Sequence, residues 1–142
     1  MKPRLSKSAI QLREQIDDSY PNRDRRTDGW IGDAKHDSKS DHTPDAAGWV
    51  RAIDIDAELF GAGVKPYIMP DLADQLRVNC KSKAEKRISY IIFNGRIASP
   101  ILNWKWRNYT GANKHTHHMH VSFKKEADLL GEFYSIPMLG GN

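Results

Sequence analysis

The sequence predicts a small α+β domain built around a mostly antiparallel sheet, and three observations predict it. Residues 6–18 and 70–82 carry apolar side chains at helical spacing. The runs 49–56, 87–93, 96–99 and 118–123 are rich in β-branched and aromatic residues or alternate apolar with polar. Two of these runs are separated by Asn94-Gly95, the strongest short hairpin signal. Two helices and four short strands with hairpin-type connections favour a mostly antiparallel sheet. At 142 residues the chain is expected to form one domain, 1–142, long enough to bury a core.

Each element has a local reason. In the first helix Ile10, Leu12 and Ile16 form a sparse apolar stripe, with Ser6 or Ser8 as the cap. Residues 20–48 are rich in Asp, Gly, Pro, Lys and Ser and read as loop. A loop that long in a small domain is usually functional or disordered. In Trp49–Asp56 the Asp residues fall on one face of a strand and the Ile residues on the other. Pro70-Asp71 opens the second helix, where Leu72, Leu76 and Cys80 recur every four residues. Arg87–Phe93, the Asn94-Gly95 turn and Arg96–Ser99 make the hairpin, and His118–Phe123 is the last strand. Residues 135–142, ending Leu139-Gly140-Gly141-Asn142, read as a loose tail.

Composition narrows the function. No apolar run approaches the roughly 20 residues that span a bilayer, so no membrane insertion is expected. The basic start, Met1 to Lys7, leads into no apolar segment, so no secretory signal is expected. A single cysteine, Cys80, excludes an internal disulfide and a Cys-based zinc finger. The net charge of +4 is uneven. Residues 31–64 hold three Lys/Arg against seven Asp/Glu, and residues 65–107 hold nine against three. A basic surface of this kind suits a polyanion: nucleic acid, an anionic membrane or an anionic wall polymer.

The chemistry concentrates in histidine and carboxylate. Of six histidines, four fall in His115-Thr116-His117-His118-Met119-His120. In an extended segment His118 and His120 share one face and His117 takes the other. Asp54 sits in the otherwise apolar Ala52-Ile53-Asp54-Ile55, where a carboxylate is costly unless paired or bound to a cation. A catalytic zinc site takes three protein ligands and leaves one position open. A histidine from the loop, Asp54, and one of the His118/His120 pair would supply them, leaving the other imidazole for proton transfer.

These residues resemble, in order and spacing, the zinc peptidase superfamily of D-Ala-D-Ala carboxypeptidases and phage endolysin peptidases. The matching elements are Ser40-x-His42, Ala52-x-Asp54 and His118-x-His120. The phage-type branch is further suggested by Gly32-Asp33-Ala34-x-His36, Ser40-Asp41-His42-x-Pro44-Asp45, Ile88 to Ile97, and Tyr109-Thr110-Gly111-x-Asn113. The resemblance spans about residues 30–123. It implies a Hedgehog/D,D-peptidase-like fold, with the metal on one face of the sheet and helices on the other. It implies one zinc ion held by His42, Asp54 and His120, with His118 as catalytic base; Asp56, on the same strand face as Asp54, is the fallback ligand. Two departures stand out. The Thr43–Gly48 turn lengthens the gap between His42 and Asp54, and the Glu found in many members three residues before the last ligand is His117 here.

The activity so implied is zinc-dependent hydrolysis of an amide bond in the peptide part of peptidoglycan, by an endopeptidase of phage lysis. The stem peptides carry free carboxylates, so Arg51, Arg96 and Arg107 are candidate substrate contacts, and Ser40 is a candidate for orienting a ligand. The expected protein is a monomer with no nucleic-acid partner. It would be made in the host cytoplasm and act on the wall after release. The competing reading is a nucleic-acid-binding protein or metal nuclease, with Lys81, Lys83, Lys86, Arg87, Trp104, Lys105, Trp106 and Arg107 as its surface.

Overall fold

The computed structural model describes residues 2–31, 40–61, 63–64 and 67–141. Two α-helices, α1 (Lys7–Ser19) and α2 (Met69–Lys81), pack on a five-stranded antiparallel sheet. The strands of that sheet are β3 (Ala52–Asp56), β4 (Ile88–Phe93), β5 (Arg96–Ala98), β6 (Arg107–Asn108) and β7 (His118–Phe123), in the spatial order β3-β7-β4-β5-β6. The short β1 (Arg4–Leu5) and β2 (Trp49–Val50) pair in parallel beside it. This agrees with the expected α+β class and mostly antiparallel sheet. Among the described residues no helix is long and apolar enough to cross a membrane.

Side-chain alternation divides the sheet into two chemically different faces. One face carries Ile53 and Ile55 of β3, Ile91 of β4, and Met119, Val121 and Phe123 of β7. These join Ala9, Leu12 and Ile16 of α1 and Leu72, Leu76 and Cys80 of α2 in a continuous core. The other face carries Asp54, His118, His120, Ser122, Tyr90 and Ile92, because Asp54 pairs with His120, Ile92 with His120, and Tyr90 with Ser122 across the ladders. A bulge in β4 between Ile88 and Tyr90 keeps Ile88 and Ile91 on the same buried side. Asn94 and Gly95 both have positive φ, 51° and 78°, as the expected two-residue hairpin requires.

Four expectations need correction. The single strand expected over 49–56 is interrupted at Arg51. Residues 49–50 pair with β1, and residues 52–56 with β7. Ser6 sits at the N-cap of α1 without a side-chain capping bond, and the Ser8 hydroxyl donates instead to the carbonyls of Ala127 and Leu130. β6 arises within an aromatic, basic stretch that had no strand periodicity.

The fourth correction concerns the C-terminal segment, which is packed and not loose. Tyr134, Ile136 and Leu139 are buried in the core. The Gln15 side-chain amide donates to the carbonyls of Tyr134 and Leu139 and accepts from the Tyr134 N–H, while the Tyr134 hydroxyl donates to the Ser8 carbonyl. Three apolar anchors and a satisfied buried amide outweigh the two glycines at the end. Leu139→Ala should therefore lower the free energy of unfolding by about 2–5 kcal/mol, the usual range for such a truncation in a packed core. Urea unfolding followed by circular dichroism checks this, and a change within error of zero would mean that the segment is not part of the core.

Candidate metal centre

The centre begins with a register. Asp54 and His120 are direct partners in the antiparallel β3–β7 ladder, so their side chains leave the same face side by side. The Asp54 Oδ1 atom lies 3.1 Å from His120 Nδ1. His42 approaches over the top of β3 from the 40–43 turn. That turn is tied down at four points. The Ser40 carbonyl accepts from the Thr43 N–H, and Ser40 Oγ accepts from the His42 N–H. The Asp41 carbonyl accepts from the Arg51 N–H, and the Asp41 carboxylate accepts from the Tyr90 hydroxyl at 3.0 Å. Burial pushes the Tyr90 phenol up to about 12, so it stays protonated and able to donate.

The turn places His42 Nε2 3.3 Å from Asp54 Oδ2. The remote nitrogens of both imidazoles are held as well. His42 Nδ1 lies 2.8 Å from the Trp30 carbonyl, which can only accept, so Nδ1 carries a proton and Nε2 is the nitrogen directed at Asp54. His120 Nε2 lies 2.7 Å from Ser122 Oγ. Tyr90 stacks on the His120 ring at 5.4 Å between centroids. Anchoring of the outward nitrogen is the usual second layer of a histidine metal site, where it sets the tautomer and the ring orientation.

The electrostatics of this group favour a cation. Burial alone would raise the Asp54 pKa, but hydrogen bonds from His120 and His42 outweigh it and hold the carboxyl well below the usual carboxylate range. Burial would lower His42, yet the neighbouring Asp54 and the Trp30 carbonyl raise it overall. Positive charge beside Asp54 is therefore stabilised. His42, Asp54 and His120 bring two nitrogens and one oxygen within 4.8 Å of one another, close enough to hold a metal ion. Mixed N/O donors fit zinc, and a carboxylate held ionised is ready to ligate without first losing a proton.

A second group shares Asp54. His115 and His118 also lie within 4.8 Å of it and of each other. His118 Nε2 is 2.8 Å from His115 Nδ1 and 3.7 Å from Asp54 Oδ2. Burial pushes His115 down to about 4, reinforced by the charge of His120 and outweighing the opposing Asp54. His118 is lowered mainly by burial too. Both rings are thus held neutral near pH 7. His115 reaches this place through a left-handed backbone, φ 53°, with its N–H on the Asn113 side chain and its carbonyl accepting from Asn94. The sequence marks His115 only as one of a cluster, and Trp30 and Ser122 as nothing in particular. The one available signal for Ser122 is its two-residue offset from His120.

The remaining candidates sort differently. Ser40 acts through the backbone of the His42 turn. Arg51 is committed elsewhere: its guanidinium bonds Asp45 at 2.7 Å and Asp128 at 2.8 Å, fastening the Asp45 turn to the chain after β7, so it is not placed to contact a substrate. Arg96 pairs with Phe93, whose ring packs against the core, and lines a cavity with Asp71 and Asp74 of α2 on the helix side of the sheet, away from the histidines. Arg107 shares the metal face. Its partner Ile97 pairs with Ile92, which pairs with His120, so Asp54, His120, Ile92, Ile97 and Arg107 form one row across the five strands. The buried Nε of Arg107 has no hydrogen-bond partner among the described residues, while one Nη donates to Ser99 Oγ.

His117 faces away as expected, lining a separate cavity with Asp56, and its carbonyl accepts from Ala57 N–H and Thr27 Oγ1. The fallback ligand Asp56 accepts from the Thr27 N–H and hydroxyl and from the Glu58 N–H, and it groups with Asp24 and Glu58 rather than with the histidines. His36 lies outside the described residues. No family model, curated protein or solved structure matches the chain.

These placements separate two neighbouring carboxylates. Asp54→Ala should abolish stoichiometric metal binding, whereas Asp56→Ala should keep the metal and lose about 1–3 kcal/mol of stability from the donors left unpaired. Metal content by plasma mass spectrometry, together with urea unfolding, checks both. Metal retained by the Asp54 variant and lost by the Asp56 variant would contradict the site.

Proposed function

We propose that the chain is a zinc-dependent peptidase that hydrolyses an amide bond in the peptide part of bacterial peptidoglycan, as an endopeptidase of the phage-lysin type with the Hedgehog/D,D-peptidase-like fold. The observation that carries this reading is the convergence of His42, Asp54 and His120 on one sheet face with the neutral His115–His118 pair beside them. Zinc held by the first three would supply Lewis-acid chemistry toward a carbonyl oxygen. His118 presents Nε2 on the Asp54 side and His115 Nδ1 shares a hydrogen bond with it, so the pair can hold one proton next to the reacting atoms. It accepts the proton released as water adds to the carbonyl and returns it to the departing amine nitrogen.

Substrate carboxylates suit a cation on the metal face, and Arg107 takes that role in place of Arg51 and Arg96. The nucleic-acid reading loses support from the same geometry. Trp104 is buried, the Trp106 indole N–H donates to Asp74, and Arg87 is paired with Glu85. These side chains are not presented as stacking platforms for bases.

A variant series on purified peptidoglycan, with products read by mass spectrometry and metal measured on each protein, tests the proposal. His120→Ala should lose metal and activity together. His118→Ala should keep metal and fold but lose about 100- to 10,000-fold in rate, the usual contribution of general acid–base catalysis. His117→Ala should change little. Metal-loaded wild-type protein that leaves peptidoglycan intact would refute the assignment. Arg107→Ala should raise KM by about tenfold or more with kcat nearly unchanged, as the loss of one charged substrate contact predicts. A fall in kcat alone would move Arg107 from binding to the chemical step.

A further inference from the structure

The loop between β5 and β6 is built against its own backbone preferences. Leu102, Asn103 and Trp104 are three consecutive non-glycine residues in the left-handed region, with φ of 59°, 52° and 65°. Such conformations are unfavourable for L-residues and persist only where surrounding structure imposes them. Here it does. The Trp104 N–H donates to the Ser99 carbonyl and the Asn103 N–H to the Pro100 carbonyl, closing the turn. The Trp104 ring is buried, and its carbonyl accepts from Arg77, which is itself held by Asp74. This rigid frame turns Ile101 and Leu102 outward, 65% and 64% exposed, although both are large and apolar.

The surroundings of this tip are cationic. Lys81, Lys83, Lys86 and Lys124 line one cavity of about 380 Å³ together with Pro100 and Asn103, the residues on either side of Ile101 and Leu102. Lys105 is exposed just past the loop. The carboxylate in the same cavity, Glu85, is bound bidentately by Arg87 and adds little opposing charge. Aliphatic side chains ringed by lysines match the chemistry of an anionic lipid surface, where headgroups meet the ammonium groups and the tip enters the acyl boundary. A nucleic acid would call for exposed aromatic rings, and the tryptophans here are turned inward or bonded.

We infer that the β5–β6 loop and the lysines around it form a peripheral docking surface for an anionic phospholipid membrane, with Ile101 and Leu102 as the inserted tip. The surface is independent of the metal centre and of the peptidase reading. Sedimentation of the whole 142-residue chain with large unilamellar vesicles tests it. Equimolar phosphatidylglycerol and phosphatidylcholine should carry the protein down at low salt, and phosphatidylcholine alone should not. Ile101→Ser with Leu102→Ser, and separately Lys81→Glu with Lys86→Glu, should each weaken binding by about tenfold or more, with unchanged unfolding midpoints. Absence of wild-type binding to the anionic vesicles overturns the inference. So does wild-type affinity in the serine variant, which would leave a purely electrostatic surface. Tighter binding to a single-stranded oligonucleotide than to vesicles would also overturn it, by giving the lysines to nucleic acid.

Discussion

Asp54 and His120 face each other across the β3–β7 ladder, 3.1 Å apart, and much of the molecule serves to make that pair tolerable. A half-buried carboxylate is expensive unless its lone pairs are met and its charge is balanced. Histidines meet both oxygens, and their outer nitrogens are met in turn by Trp30 and Ser122. The register that brings the pair together is enforced from the opposite side of the sheet. A slip of one residue in β7 would send Met119 and Val121 onto the polar face and His118 and His120 into the helices. The hydrophobic core therefore positions the candidate metal centre without contributing an atom to it.

That coupling explains what was legible in the sequence. Period-two alternation in Ala52–Asp56 and His118–Phe123 revealed both the strands and which residues share a face. The four-residue spacing of Leu72, Leu76 and Cys80 marked α2, and Asn94-Gly95 marked the hairpin. Elements held by contacts distant in sequence were not legible. β1 and β2 are two residues each and exist because they pair with each other across 45 positions of chain. The C-terminal segment looks loose until Gln15 is seen bonding its backbone. Arg51 lies next to the motif in sequence but is spent on two carboxylates, one of them beyond β7. His115 needs a left-handed backbone and the Asn94 turn to reach the site, and neither leaves a periodic trace.

Charge is distributed as unevenly in space as in sequence. Arg23, Arg51 and Arg87 are fastened to acidic partners and act as internal clamps. Arg87 also stacks its guanidinium on Tyr134 at 3.7 Å, which joins β4 to the C-terminal segment. In the middle of the chain Lys81, Lys83 and Lys86 gather beside the β5–β6 loop, while Arg96 lies on the helix side of the sheet and Arg107 on the face bearing the histidines. One basic composition therefore serves several different tasks, and only the pairing pattern tells them apart.

The four imidazoles around Asp54 are not equivalent, and the difference lies in their outward nitrogens. His42 and His120 each have the remote nitrogen fixed by a neighbour, so each ring is locked in orientation with one nitrogen directed at the carboxylate. A metal ligand gains from such locking, since the lone pair must stay in place. His118 and His115 are bonded to each other, and the buried Nδ1 of His118 has no hydrogen-bond partner among the described residues. A ring left in that state is less constrained and shares a proton with its neighbour, which suits a carrier better than a ligand. The division proposed above, with His42, Asp54 and His120 holding the ion and His118 with His115 moving the proton, follows from that asymmetry. Distance to Asp54 alone would not distinguish them, because both groups fall within the same 4.8 Å.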